Sequence, residues 1–407
     1  MARSPATRAA RPVLLREPYR LFFPAGALYA LVVMVGWGLW LLFLQGLGPG
    51  VPAPAVPPGW LHGHTLVWGV LQLFIFGFIL TALPRQCRHP DEIPPRRWIA
   101  LLLAFGAAQG GIWLGALGGW AGLAAGAAAL GGLLVLATAL GLGRWVPDAG
   151  NPHQPRYAVL ALGLSGIAAM TDAIAWGLGN AALHGWALRA GLYAEVGLAL
   201  ALLHRLLPMF ARNAIPEYAG AAGARVLPVL AAGIGARLVL AGMPGAVPGL
   251  LGGAVDLFLA AWVAREAWHW SPATALRRWP VGAKLVPVAW FVLGWVMSGL
   301  VAWGLAWPDA GRAWVHALGL GGMASLVMVF STRVSLGHAG RPLDPERLLR
   351  AALWLLQGAV LARLLAPLWT PAGQGGMIAA THWAAWLWLA AFAIWLARLL
   401  PRMAEHS

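Results

Sequence analysis

The 407-residue chain contains one cysteine, Cys87, and only 13 acidic residues. A single thiol excludes an internal disulfide and any cysteine-rich metal site. Charge of either sign is scarce: Asp, Glu, Lys and Arg together make up 10% of residues, against about 25% in a typical soluble domain. That shortage excludes a water-covered surface of ordinary size. Long polar segments are missing too. The longest connections between apolar runs, around 84–97, 208–225 and 268–283, are too short to fold alone, so no separate soluble domain is expected.

What is present is apolar: 60% of the residues. Runs of about 18 residues or more, the length a bilayer core demands, recur along the whole chain. Charged and Pro-rich breaks divide them into twelve predicted helices near 22–46, 59–83, 98–116, 119–142, 157–178, 185–207, 226–243, 249–267, 284–306, 313–334, 347–369 and 376–400. Only Gly118 and Gly119 part the third from the fourth. The expected fold is an all-α, polytopic integral membrane bundle of about twelve transmembrane helices with both termini cytoplasmic. It divides into a basic cytoplasmic arm at 1–20, a single transmembrane domain at 21–400 and a cytoplasmic tail at 401–407.

The basic residues test this topology. With the N-terminus inside, 24 of the 28 Lys and Arg residues fall in cytoplasmic segments or at the helix ends beside them, as the positive-inside rule expects. The net charge of +15 is spread over seven such segments, where it meets anionic lipid, so nucleic-acid binding is not expected. The apolar run after the arginine-rich arm is too long for a signal peptide. Many of the 25 tryptophans, among them Trp60, Trp98, Trp145, Trp279, Trp307 and Trp369, stand at predicted helix ends as interfacial anchors.

Histidines gather at one edge of the membrane. His62, His64, His184, His316 and His382 stand at the starts of spans that open on the extracytoplasmic side. A lone interfacial histidine bonds a carbonyl or a lipid headgroup. Several at one depth point instead to a shared metal or haem site, because imidazole is well suited to hold iron or copper. His62, His64, His316 and His382 are the predicted ligands, whereas His184 reads as a loop residue at the mouth of the sixth span. Residues two apart on a helix point about 200° away from each other, so His62 and His64 serve different neighbours.

Charged residues within spans are the second signal. Asp172, Glu195 and Asp256 are the intramembrane acids, accompanied by Arg189, Arg237 and Arg363. Each costs about 2.5–3.5 kcal/mol at a helix centre on the insertion scale, so each should face protein, a cavity or a partner. Arg189 and Arg363, at the depth of the histidines, suit haem propionates. Glu195, with Tyr193, Asp172 and Asp256, suits a proton relay. Structural ion pairs such as Glu195 with Arg237 account for the same residues equally well.

Several stretches resemble the NnrS family. They are Pro18-Tyr19-Arg20-Leu21-Phe22-Phe23, His62-Gly63-His64 with Gly77–Pro84, Pro208–Asn213, and above all His316-Ala317-Leu318-Gly319 leading to Arg333–Leu343. The resemblance implies a bacterial inner-membrane protein containing haem, with copper as a further metal, and tied to nitric oxide metabolism. It places His62, His64, His316 and His338 on the family's motif histidines and Arg333 and Arg341 on its arginines. Two positions depart from the pattern: Thr65 stands where the family usually has Glu, and His204 where it commonly has Gly.

The expected activity is reduction or detoxification of nitric oxide, two molecules giving nitrous oxide. No haem-c attachment motif is present, so the haem is expected to be b-type. Electrons then come from quinol or another donor. The alternatives are a transporter or metal-delivery permease, and a haem sensor of nitric oxide without turnover. A weak echo links the second and tenth spans, with His64 and His316 opening them and Arg85 and Arg333 closing them.

Overall fold

A computed structural model describes residues 12–47, 53–89, 93–147, 152–215, 218, 223–270, 279–305, 310–342, 344–368 and 373–405. Trp307, Trp369, Leu343 and Pro90-Asp91-Glu92 lie outside them. Among the described residues every regular element is helical. The long helices, in chain order, are α1 (Tyr19–Leu44), α2 (Pro58–Gln86), α3 (Pro95–Leu117), α4 (Ala121–Gly143), α5 (Gln154–Leu178), α6 (Ala181–Ala214), α7 (Val226–Gly242), α8 (Ala246–Trp270), α9 (Trp279–Ala302), α10 (Ala313–His338), α11 (Arg347–Leu365) and α12 (Gly373–Ala404). Eleven are long and apolar enough to span a bilayer; α7, at 17 residues, is shorter. The chain is thus a polytopic helical membrane protein.

Two helices run past their predicted ends. Pro208–Asn213 and Arg333–His338, read from sequence as exits from the sixth and tenth spans, are the closing turns of α6 and α10. An apolar run measures the bilayer core, whereas a helix continues wherever its backbone bonds remain satisfied.

Helices α2 and α10 share an uncommon feature. Each is interrupted by a π-helical turn, Leu66–Leu71 in α2 and Ala317–Ala324 in α10. Both turns begin directly after the motif histidines, His64-Thr65 in one and His316 in the other. Such turns are rare and concentrate at functional sites. These two spans are also among the most buried, at 83% and 72% of their apolar windows. The faint sequence echo between them therefore has a backbone counterpart.

The chain divides into two compact units, residues 1–191 with 331–349 and 392–407, and residues 192–330 with 350–391. In the first unit α4 and α5 meet backbone to backbone. A Cβ on Gly166 would lie 2.7 Å from the Leu136 nitrogen and 3.0 Å from the Gly132 carbonyl oxygen. Small residues at such crossings are how membrane helices gain packing without a hydrophobic driving force. The ends of four helices also meet here. The Tyr19 N–H donates to Thr81 Oγ1 (3.3 Å), the Tyr19 ring stacks on His338 (5.0 Å), Arg20 donates to the Met403 carbonyl, and Arg341 pairs with Glu405 (3.1 Å). The start of α1 therefore shares a level with the ends of α2, α10 and α12.

In the second unit α8 packs on α7 and α9, and α9 packs on the π turn of α10. Its centre holds Asp256, which accepts hydrogen bonds from Tyr193 Oη (2.8 Å), Arg237 Nε (2.9 Å) and Ser298 Oγ (2.7 Å). The ion pair named from sequence, Glu195 with Arg237, is replaced in the structure by Arg237 with Asp256.

Candidate functional site

The site is built where α5 turns into α6. Helix α5 ends at Gly179, whose left-handed φ of 60° a residue bearing Cβ adopts only under strain. Asn180 then caps α6, its Oδ1 accepting the Leu183 N–H at 3.0 Å. That cap starts the helix at Ala181, four residues earlier than its apolar run suggests. His184 is consequently a buried helical residue, not the loop residue expected. The tight corner points it back at Asp172, twelve positions earlier.

Helix α2 supplies the third member. Proline at its first position fixes the helix start, and His62 and His64 follow in the second turn. They diverge as their spacing requires: His62 stacks on Trp37 of α1 (4.2 Å), while His64 faces α5. Thr65 returns its hydroxyl to the Leu61 carbonyl at 2.8 Å, so at this position the chain spends its side chain on its own backbone.

His64 and His184 take opposite oxygens of one carboxylate. His64 Nδ1 lies 2.8 Å from Asp172 Oδ2 and His184 Nδ1 lies 2.6 Å from Asp172 Oδ1. Asp172 is 0% exposed, His64 1% and His184 7%. Carboxylate oxygens only accept, so each ring carries a proton on Nδ1, and in its neutral form its Nε2 lone pair points away from Asp172. This is the arrangement in which metal-binding imidazoles are held, with a carboxylate behind them fixing tautomer and ring angle. Among the described residues no Lys or Arg pairs with Asp172. A buried carboxylate is expensive unless positive charge lies nearby, which a protonated imidazole or a cation at the Nε2 side would supply.

Aromatic rings enclose the pair. Trp60 stacks flat on His184 (4.5 Å, 14°), and Trp176 and Trp68 approach His64 at 4.7 and 5.0 Å. The Trp68 indole is anchored by donating to Ser165 Oγ (3.2 Å), and Gln109 Nε2 donates to the Trp68 carbonyl within the π turn (3.3 Å). Beyond them lies an apolar cluster that includes Leu61, Ile112, Ala116 and Ala173. Two buried polar groups here lack a hydrogen-bond partner among the described residues: Trp176 Nε1, and both amide atoms of Gln72, the residue that follows the π turn.

The remaining predicted residues stand elsewhere. His316 donates through Nδ1 to the Arg312 carbonyl (3.1 Å), and His382 is buried on α12. His338 closes α10, 22 residues beyond His316. Arg333 is half-buried in the last turns of α10, and Arg341 is exposed beyond them. Arg189 is half-buried on α6, as is Arg363 on α11. Glu195 and Tyr193 are buried on α6, the latter in the Asp256 cluster. Sequence reasoning missed His184 and Trp176. The Gly179-Asn180 pair, a helix stop followed by a helix start, carried the signal for the first. The spacing of Trp176 one turn from Asp172 carried it for the second.

Among the described residues no three His, Cys, Asp or Glu side chains are grouped to hold a metal ion. Either imidazole would offer one Nε2 lone pair to a metal group that needs few ligands from the chain, as haem does. Comparison with curated proteins gives no match. The family described as NnrS protein matches residues 13–406, nearly the whole chain. A match of that extent, on a many-spanning helical membrane protein with its motif histidines at widened turns, makes this chain a member of the NnrS family.

Proposed function

We propose that the protein is a haem-containing enzyme of nitric oxide metabolism in the bacterial inner membrane, reducing two molecules of nitric oxide to nitrous oxide and water with two electrons and two protons. Membership of the family is consistent with a role tied to nitric oxide. The observation that carries the finer reading is the buried carboxylate shared by His64 and His184. Haem b held by one of these imidazoles would supply an iron that changes oxidation state and accepts a diatomic ligand, and copper is a further metal the family implies.

The chain's own residues do the rest. His64 and His184 present Nε2, and Asp172 holds both rings in that tautomer. Trp60, Trp68 and Trp176 exclude water from the pair, which strengthens every polar interaction beside it. Nitric oxide is small and apolar, so it reaches such a site laterally from the lipid. Protons must cross from the aqueous side, for which Glu195, buried on α6, remains the chain's candidate carrier. Electrons come from quinol or another membrane donor.

The deciding experiment uses purified full-length protein. A Soret band, a b-type pyridine haemochrome and nitric oxide consumption with a reduced quinol are expected. The His64→Ala variant is expected to lose the band while still inserting in the membrane. His316→Ala is the second arm, because the family motif nominates that residue as well. Wild type without a Soret band refutes the haem enzyme, and bound metal without haem then supports a permease. Haem without nitric oxide consumption supports a sensor.

A further inference from the structure

The two π turns are held by the same three parts. In the first unit, a Cβ on Gly69, inside the turn of α2, would meet the Tyr29 ring of α1 at 2.5 Å, so only glycine lets that ring lie against the backbone. Tyr29 Oη donates to Gln109 Oε1 of α3 (2.8 Å), and Gln109 Nε2 donates to the Trp68 carbonyl in the turn (3.3 Å). In the second unit, a Cβ on Gly321, inside the turn of α10, would meet the Trp290 ring of α9 at 2.6 Å. Trp290 Nε1 donates to Gln357 Oε1 of α11 (2.7 Å), and Gln357 Nε2 donates to Oγ of Ser325, the residue that follows the turn (2.8 Å). The amide orientations are forced, because an indole N–H only donates and a backbone carbonyl only accepts. Both glutamines are buried, where an amide is costly unless bonded at both ends.

We propose that Gln109 and Gln357 are positioning residues in two copies of one clamp, each holding a π turn and, through it, the motif histidine just before that turn. Such turns are rare in helices, so one that persists needs support from outside its own backbone. In each copy the preceding helix contributes an aromatic donor and the following helix a glutamine. A glutamine buried by chance does not recur with the same kinds of partner on the same two flanking helices. In the first copy Trp113 Nε1 donates to Tyr29 Oη (3.0 Å), which commits the phenol's own proton to Gln109. What stands before each turn shows what the clamp serves. His64, 2.8 Å from Asp172, lies one residue ahead of the first turn, and His316, bonded to the Arg312 carbonyl at 3.1 Å, lies directly ahead of the second. The assignment goes beyond the haem reading and does not need it, since it concerns how the imidazoles are held, whatever group they serve.

Side-chain nitrogen NMR of full-length, histidine-labelled protein in detergent is the test, with the His64 and His316 signals assigned by their loss in His64→Gln and His316→Gln. Gln109→Leu keeps the volume and removes the bonds. It is expected to shift the His64 Nδ1 signal, as that nitrogen loses Asp172, and to leave His316 in place. Gln357→Leu is expected to do the reverse. Tyr29→Phe and Trp290→Phe keep a ring against the glycine but remove the donor to the amide, and each is expected to shift the same signal as the glutamine of its own copy, by less. Thr138→Val, which removes a hydroxyl bonded to the Leu134 carbonyl of its own helix, controls for general loosening and is expected to move neither signal. A histidine signal unmoved by the glutamine variant of its own copy overturns the assignment. So do two signals moved alike by either glutamine variant, or a shift of His64 in Thr138→Val as large as in Gln109→Leu. If the glutamine variants do not accumulate, Tyr29→Phe and Trp290→Phe decide by the same criterion. No bound haem enters the readout, so a protein that fails as a haem enzyme still tests the clamp.

Discussion

His184 reaches Asp172 at 2.6 Å across a corner of two residues, Gly179 and Asn180. The carboxylate and one of its imidazoles are therefore set by a single local turn, and only His64 must arrive from a distant helix. The site is preorganised on one side.

Asp172→Asn separates charge from shape. An amide offers one acceptor and one donor, so one ring keeps its tautomer and the other must turn its lone pair toward the amide, losing it at Nε2. Haem affinity is expected to fall about 10- to 100-fold, the usual effect of losing a ligand's supporting partner. Haem titration of the apoprotein checks this; equal affinity would show that Asp172 does not orient the ligands.

The Asp256 cluster predicts a different response. Truncating Asp256 to Ala strands the Arg237 charge in the interior and is expected to destabilise the protein by about 3 kcal/mol. Removing both charges at once, as Arg237→Met with Asp256→Leu, is expected to recover most of that loss. Unfolding of the detergent-solubilised variants measures the difference. A double variant as unstable as Asp256→Ala would contradict the pairing of these two residues.

Gly166 sits where α4 and α5 touch. A leucine there cannot be absorbed by a side-chain shift, because the atoms it meets are backbone. Gly166→Leu is expected to cost about 2 kcal/mol and, since Asp172 rides on the same helix, to weaken haem binding as well. Intact binding and stability would show that the two helices can part freely.

Glu346, in the connection before α11, predicts a pH dependence. Arg398 bonds it in bidentate fashion and Arg402 adds a third contact (2.9 Å). Chiefly through Arg398, its carboxyl is lowered from 4.5 to about 2. A lowered folded-state value stabilises above the unfolded one. The stability gap between wild type and Glu346→Gln is thus expected to be full above pH 4.5 and to close as pH falls toward 2. A gap that is constant across this range would rule out the ion pair as its source.

The spans were legible because membrane helices announce themselves by length of apolar run, and Pro and Gly mark their breaks. What failed was pairing. Three acids and three arginines within spans admit several matchings, and nothing in a linear pattern says which helix faces which, so Arg237 was joined to the wrong acid. His184 was misplaced for a local reason: the apolar count outweighed the Asn180 cap. Trp176 was one tryptophan among 25, singled out only by what surrounds it. The four histidines expected to converge were legible as individuals; the structure joins His64 to a partner the depth argument had set aside.

The π turn in α2 also fixes where the histidines look. Each residue added to a helix rotates everything beyond it by about 100°. A π turn winds less per residue than an α turn, so straightening Leu66–Leu71 to ordinary α geometry at unchanged length would swing the whole Pro58–Thr65 end around its axis. His64 then leaves α5 and no longer meets the carboxylate, although every residue of the motif is still present. The reading frame of the imidazoles is carried by a backbone irregularity one turn away, and a motif search blind to it would score such a straightening as harmless.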